Sequence, residues 1–531
     1  MLTPPRNIGL PSKEFYENDQ LVKEYQDMSA TVLEQFFEKS PGNTTLAKYR
    51  RSSMSLNEPL YHMAPQTEIG ELAQRIVDLE VQLAAATPPT EDQEDVTKYY
   101  NPMTVPEVQA LLPQVALDHI ISRLAPEGYS PKKVIVGSPT YMSALAKSLS
   151  GTNNETLQGF LVWKAVQRYE KKVEDSSLRP LRAFNNQLRG LDPSAKEERW
   201  RTCIDAVDQD LGWILSKFFV ESAFSEASKK FGDQIVTDIK DSFTTTLDRT
   251  DWMTKDVRDR AIKKVSAIDQ KIGYPTSNPN VLDPDALNKY YSGVVISNST
   301  FFENKVQVAQ FETRQAWNKL GKPTRHDEWG MTVPTVNAYY NPAGNEIVFP
   351  AGIMQAPVFY EPSVPHYLTY GAFGAVSGHE LSHAFDSTGS HYDETGNYTD
   401  WFDKSTKEAF DNKTKCFEKQ YSKFTVSGPK GESLHVNGKL TLGENIADAG
   451  GLHAAFFAWK KREAENPSKA LPGLQNFTPE QLFFISYGNW WCGKSTKAKA
   501  VERIYTDPHA LKWARILVST LSPYGRGTEY G

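Results

Sequence analysis

The chain has 531 residues, with 59 Lys and Arg against 65 Asp and Glu, a formal net charge of −6, 39% hydrophobic residues and 23% charged ones. That balance offers no basic field for nucleic acid or an anionic membrane surface, and no window approaches the roughly 18 unbroken apolar residues of a membrane helix. A single core stops growing at about 250 to 300 residues, so two or more domains are expected.

The opening "MLTPPRNIGLPSKEFYEN" has neither a basic leader nor an apolar stretch, so no export signal is expected from it. Ile69, Leu72, Ile76, Leu79 and Leu83 recur at alternating three and four, which predicts a packed helix. "AATPPTEDQEDVTKYYNP" then reads as a surface connection, its paired prolines and clustered acids breaking the period. Ile204, Val207, Leu211, Ile214 and Phe218 predict a second packed helix. Near residue 250 the texture shifts toward aromatic and β-branched segments. Val336 to Tyr340 and Glu346 to Phe349 read as two strands of a hairpin, with Asn341-Pro-Ala-Gly344 supplying the turn. The expected organisation is a helical domain over 1–250 and an α+β domain over 251–531.

Cys203, Cys416 and Cys492 are too few and scattered for a disulfide framework or a cysteine-ligated zinc site, and alone they read as reduced thiols. Six Asn-x-Ser/Thr sequons, at Asn43, Asn154, Asn298, Asn397, Asn412 and Asn476, lean the other way, toward a secreted glycoprotein.

The chemistry concentrates in "GAVSGHELSHAFDSTG", residues 374–389. On a helix, residues four apart share a face, so His379 and His383 can aim one imidazole nitrogen each at a single ion, with Glu380 beside it. That geometry suits zinc, which in a catalytic site takes a third protein ligand and leaves one position open. One class of zinc peptidases places a third His six residues on and a Gly three residues on; Gly389 and Asp386 occupy those positions here, which excludes that class. A carboxylate must serve, and Glu444 in "GENIADAGG" is the best candidate. Asp448 stands on the same helical face, so one of the two can ligate while the other accepts the spare N–H of a ligand His. Asp386 can do the same for the other His. Each has a structural alternative: the His pair as an ordinary hydrogen-bonded helical pair, and Thr441-x-x-Glu444 as a capping box at a helix start.

The quoted motifs, together with "EWGMTVPTVNAYYNPAGNEIVFPAGIMQAPVF" and "YTDPHALKWAR", resemble the neprilysin family of zinc endopeptidases, which includes endothelin-converting-enzyme-like members, and the likeness spans nearly the whole chain. It implies a mainly α fold with a smaller β part (α+β): a thermolysin-like zinc-peptidase catalytic domain, a helical lid domain, and a substrate cavity between them. It implies one Zn2+ held by His379, His383 and Glu444. Glu380 would act as general base toward the attacking water and then protonate the leaving amine, while Asp448 and Asp386 hold the ligand imidazoles. Asn337 and Ala338 would bind substrate backbone as an added antiparallel strand, His509 would stabilise the oxyanion, and Arg515 would hold a substrate carbonyl. Without the resemblance both of the last two read as surface residues.

Ile353, Val376, Trp490 and Trp491 fall near the positions lining the pocket for the residue after the scissile bond, where large apolar side chains would be preferred; their alternative is core packing. The family is extracellular or on the cell surface, and its members begin upstream with an anchor and end in a Cys-x-x-Trp tail, so this chain reads as truncated at both ends, with part of the lid missing. The three cysteines match positions whose disulfide partners mostly lie in those segments. The expected activity is hydrolysis of small peptides. The different-class alternative is a non-catalytic helical binding or scaffold relative, and a third is a zinc enzyme for non-peptide amides or esters. The oligomeric state is left open.

Overall fold

A computed structural model describes residues 1–38 and 66–521. The described residues are mainly helical with a few short strands, as the α+β expectation had it. The two largest of their apolar cores are separate. The first gathers Tyr25, Val32, Ile76, Val77, Trp163 and Leu181 from N-terminal helices, with Glu80 buried among Tyr16, Tyr25 and Lys164. The second and larger core runs from Ile235 to Tyr487 and surrounds the His-Glu-x-x-His motif.

The helix expected from Ile69 to Leu83 spans Gln66–Ala86 and buries all five of its marker residues. The second expected helix spans Arg199–Ala223, but its buried positions are Gly212, Trp213, Ser216 and Val220. Ile204, Val207 and Phe218 are exposed, so the apolar row lies outward, and the helix kinks at Leu211. Periodicity reports that a stripe exists, not which stripe meets the core, and here Gly212 approaches the Thr332 side chain too closely for any larger residue.

The expected division at about 250 cuts across the packing, because the Glu226–Asp248 helix sends Ile235, Val236, Ile239 and Leu247 into the larger core. The segment read as a surface connection is instead docked. It forms short helices at Thr90–Glu94 and Val96–Tyr99. Thr90 Oγ1 donates to Tyr505 O at 3.0 Å, Asn437 Nδ2 donates to Glu91 at 3.1 Å, and Lys439 pairs with Asp92 at 3.2 Å.

The hairpin forms one part of a three-stranded sheet in which Asp269–Gly273 runs parallel to Glu346–Pro350, and Tyr339–Asn341 runs antiparallel to it on the outside. Its first strand is shorter than expected, starting at Tyr339, so Asn337 and Ala338 enter the edge rather than belong to the ladder. The left-handed turn residue is Asn345, at φ 45°, a conformation Asn tolerates better than other side chains. Every residue of Glu346–Pro350 is buried, and Glu346 is neutralised by Lys271 at 2.7 Å. No helix of the described residues is long and apolar enough to cross a membrane. Of the sequon asparagines, Asn43 lies outside the described residues and the other five are exposed.

Candidate metal centre and catalytic cleft

The motif helix, Ala375–Ser382, is buried along its whole length and continues through one tight turn at His383–Phe385. It packs against the Leu442–Glu465 helix. Two glycines make that contact possible. A Cβ on Gly378 would stand 2.4 Å from Gly451 O, and one on Gly451 would stand 2.3 Å from His379 N. The two backbones therefore nearly touch, which carries Glu444 and Asp448 up against the two His rings.

His379 Nε2 and His383 Nε2 are 3.0 Å apart, with their rings almost perpendicular at 88°. Glu444 reaches both, Oε2 at 3.1 Å from His379 Nε2 and Oε1 at 3.6 Å from His383 Nε2. On the far side of each ring a carboxylate accepts from Nδ1: Asp448 from His379 at 3.0 Å, Asp386 from His383 at 2.6 Å. An ionised carboxylate only accepts, so each Nδ1 carries the proton and each Nε2 presents a lone pair. Two lone pairs and a carboxylate converging at 3.0 to 3.6 Å repel unless a cation sits among them. Ligands about 2.0 to 2.1 Å from a tetrahedral zinc stand about 3.3 to 3.4 Å from one another. The three side chains therefore fit such an ion, and among the described residues they are the group with metal-ligand spacing.

Without metal, protons play the cation's part. Burial disfavours the His379 imidazolium, yet Asp448 and Glu444 outweigh it and push its pKa up to about 10. Burial likewise opposes charge on His383, and Glu444 and Asp386 raise it. Glu444 is held well below the usual carboxylate range against its own burial, chiefly by His383 and His379. Thr441 makes no capping box with it: the Thr441 side chain donates to Asn437 O at 3.2 Å, and Glu444 is left to face the His pair. Glu380, 6% exposed, is pushed up by burial, with His379 and His383 pulling the other way.

A cleft of about 490 Å³ opens on these residues and is bordered by Asn337, Ala338, Val376, Glu380, Trp490 and Trp491. His509 enters from the opposite wall, Nε2 at 3.2 Å from Glu444 Oε2. Its orientation comes from Asp507, whose Oδ1 accepts from both Nδ1 at 2.8 Å and the His509 backbone N–H at 2.9 Å. Asp507 escaped the sequence reading, although Asp-Pro-His is a recognisable Asx turn. Gly378 and Gly451 also escaped it. Arg515 borders the cleft but is 2% exposed, forks onto Asp448 at 2.6 and 2.7 Å, and lies 3.7 Å from the centre of the Trp491 ring. It is no surface residue. Ile353 is not brought to the cleft: it is 1% exposed and packs in the core with Phe349 and Phe373. Behind His383, Asp386 and Glu444 a second cavity of about 540 Å³ extends toward Glu91, Glu94 and Asp400. Cys203, Cys416 and Cys492 are free and exposed.

Residues 1–275 match the N-terminal model and residues 337–521 the catalytic model of peptidase family M13. The chain is 37% identical to an endothelin-converting enzyme homolog of Locusta migratoria over 83% of its length and 60% of that protein's. It is 33% identical to endothelin-converting enzyme 1 of Homo sapiens, over 96% and 63% of the two lengths, and 35% identical to neprilysin-3 of Drosophila melanogaster, over 84% and 57%. It thus spans about 57% to 63% of these relatives. Among solved structures, zinc metalloprotease Zmp1 of Mycobacterium tuberculosis superposes with a TM-score of 0.81 at 28% identity, covering 97% of this chain and 72% of that one. The His pair, the carboxylate helix and both matched halves lead to one conclusion: the chain belongs to peptidase family M13.

Proposed function

We propose that this chain is a zinc-dependent endopeptidase that hydrolyses small peptides, favouring a large apolar residue just after the scissile bond. The observation that carries the reading is the convergence of His379 Nε2, His383 Nε2 and the Glu444 carboxylate beside buried Glu380. Zinc, when bound there, supplies a Lewis acid that polarises the substrate carbonyl and makes a nearby water acidic. Glu380 takes the proton of that water and returns it to the leaving amine, a role that its burial-raised affinity for protons suits. Asn337 and Ala338, running into the outer strand, align the peptide backbone as an added strand. His509, held by Asp507 through Nδ1, presents Nε2 to the developing oxyanion and donates to it when both ring nitrogens carry a proton. Val376, Trp490 and Trp491 form the apolar wall that selects the residue after the cleaved bond, and Arg515 keeps Trp491 and Asp448 in place.

We further propose a division between the helical and catalytic parts near residue 225, ahead of the helix that enters the larger core, and an extracellular or cell-surface glycoprotein, to which the five exposed sequons lend support. A second reading, a non-catalytic scaffold relative, is favoured by one observation, the exposed row of Trp200, Ile204, Val207 and Phe218. Hydrolysis of a quenched peptide carrying Phe after the cleavage site separates the two. The enzyme reading expects turnover that a chelator abolishes and added zinc restores; a folded, zinc-loaded chain with no turnover would favour the scaffold.

A further inference from the structure

The Lys255–Ala267 helix lies outside the cleft, yet it delivers a lysine, Lys264, that is 1% exposed. Its Nζ stands 2.7 Å from Ala384 O, 2.7 Å from Gly389 O and 2.6 Å from Tyr392 O. An ammonium has three N–H donors and no acceptor, and here all three go to main-chain carbonyls of one segment. That segment begins directly after His383 and carries Asp386. Within it Asp386 Oδ1 accepts from Thr388 N at 2.7 Å and Gly389 N at 2.6 Å, while Oδ2 accepts from His383 Nδ1 at 2.6 Å. The loop is so tight that a Cβ on Gly389 would lie 1.8 Å from His383 O. The rings of Phe385 and Trp401 flank the ammonium at 5.4 and 5.8 Å.

The two His are thus supported differently. Asp448, behind His379, is gripped directly by Arg515. Among the described residues no Lys or Arg hydrogen-bonds to Asp386; its segment is gathered around Lys264 instead. Burial disfavours an ammonium, and a position with only a packing role would be filled at lower free energy by Leu or Met. The chemistry Lys264 adds is the convergence of three carbonyls, and what that convergence fixes is the place of the Asp386 carboxylate.

We propose that Lys264 is a positioning residue for His383: it closes the 384–392 segment so that Asp386 meets Nδ1 and Nε2 stays aimed at the metal. This rests on the reading of His379, His383 and Glu444 as metal ligands. The test is zinc affinity of the 531-residue chain, by competition with a chromophoric chelator, for wild type, Lys264→Met, Asp386→Ala, the double variant and His383→Ala, with metal-free melting followed by circular dichroism. Lys264→Met is expected to weaken zinc binding by about 10- to 100-fold, Asp386→Ala comparably, and the double variant no more than the worse single change. Co2+-loaded samples should show the same altered visible spectrum in both single variants. Lys305→Met, at a buried lysine whose partners Asp210 at 2.7 Å and Ala206 O at 3.3 Å lie on the Arg199–Ala223 helix and not in the 384–392 segment, should melt lower yet bind zinc as wild type does.

Wild type that binds zinc no better than His383→Ala would remove the metal reading itself. Wild type that binds zinc normally while Lys264→Met matches it, or losses that multiply in the double variant, would overturn the positioning role alone. Lys264→Gln, which keeps two N–H donors, is the second variant. If both Met and Gln chains fail to fold, Lys264 belongs to the fold rather than to His383, and the proposal falls.

Discussion

Arg515 and Asp448 form a buried, forked ion pair, Nε to Oδ2 at 2.6 Å and Nη2 to Oδ1 at 2.7 Å, and the same Asp448 oxygen that takes Nη2 also accepts from His379 Nδ1 at 3.0 Å. The guanidinium therefore stabilises the charge of the group that orients a proposed metal ligand. Burial alone would raise the Asp448 pKa, but Arg515 and His379 outweigh it and bring it down to about 2.

That pair has a pH signature in the metal-free chain. Asp448 titrates near 3.9 when unfolded and near 2 when folded, so its contribution is fully present above about 4 and is lost as pH falls through about 2. Titration of the unfolded state is common to both chains, so the stability gap between wild type and Arg515→Met should shrink as pH falls toward about 2, where Asp448 of the wild type takes its proton. Denaturant titrations with chelator present, run from pH 7 downward, measure the gap; a pH-independent gap would contradict the assignment.

Breaking the pair from the other side leaves buried Arg515 with only the more distant Glu444, at 4.0 Å. Asp448→Ala is expected to lose about 3 to 5 kcal/mol of stability and to weaken zinc binding about 10- to 100-fold. Chemical denaturation and chelator competition check the two effects separately.

The glycine contact makes a steric prediction. Gly378→Ala pushes a methyl group into Gly451 O and should cost about 1 to 3 kcal/mol or more, with zinc affinity falling because the carboxylate helix is displaced. Gly488→Ala is the control, since its Cβ would meet only Ile516 at 3.9 Å, and should be neutral or stabilising by up to about 1 kcal/mol. Equal behaviour of the two variants would contradict the close-contact account.

The helical arithmetic of the motif made the centre legible in sequence. His379 and His383, and Glu444 and Asp448, each stand four apart, and that spacing alone puts each pair of side chains on one helical face. What escaped reading depended on tertiary contact. Lys264 in "RAIKKVSAI" looks like any solvated helix lysine, because nothing local reveals that three carbonyls from residues 384–392 surround it. Gly378 and Gly451 look like helix weaknesses until the two backbones meet. The outward row of Ile204, Val207 and Phe218 shows the converse failure, a correct period with the wrong face assigned to the core. Thr441 and Glu444 fit a capping pattern that the fold declined, since Glu444 finds stronger partners in two imidazoles.

His509 should matter to turnover and not to metal content. His509→Gln is expected to lower kcat by about 10²- to 10³-fold with zinc stoichiometry unchanged, and Asp507→Asn should act in the same direction to a smaller extent because it releases the ring. Steady-state kinetics on zinc-quantified samples distinguish this from a loss of ligand geometry, which would lower zinc content as well.

The apolar wall makes a specificity prediction. Val376→Phe narrows the cleft that Val376 and Trp491 both line and should lower kcat/KM for peptides with Phe or Leu after the scissile bond by about 10- to 200-fold relative to those with Ala. Paired peptides differing only at that position provide the comparison, and an unchanged ratio would remove Val376 from the pocket.

In the proposed mechanism His379, His383 and Glu444 hold zinc and Glu380 moves the proton. Glu380→Gln, with zinc content and peptide hydrolysis measured on one sample, separates the two tasks. Zinc should be retained at wild-type stoichiometry with turnover reduced by about 10²- to 10⁴-fold; turnover that survives the substitution, or zinc lost along with it, would overturn that division.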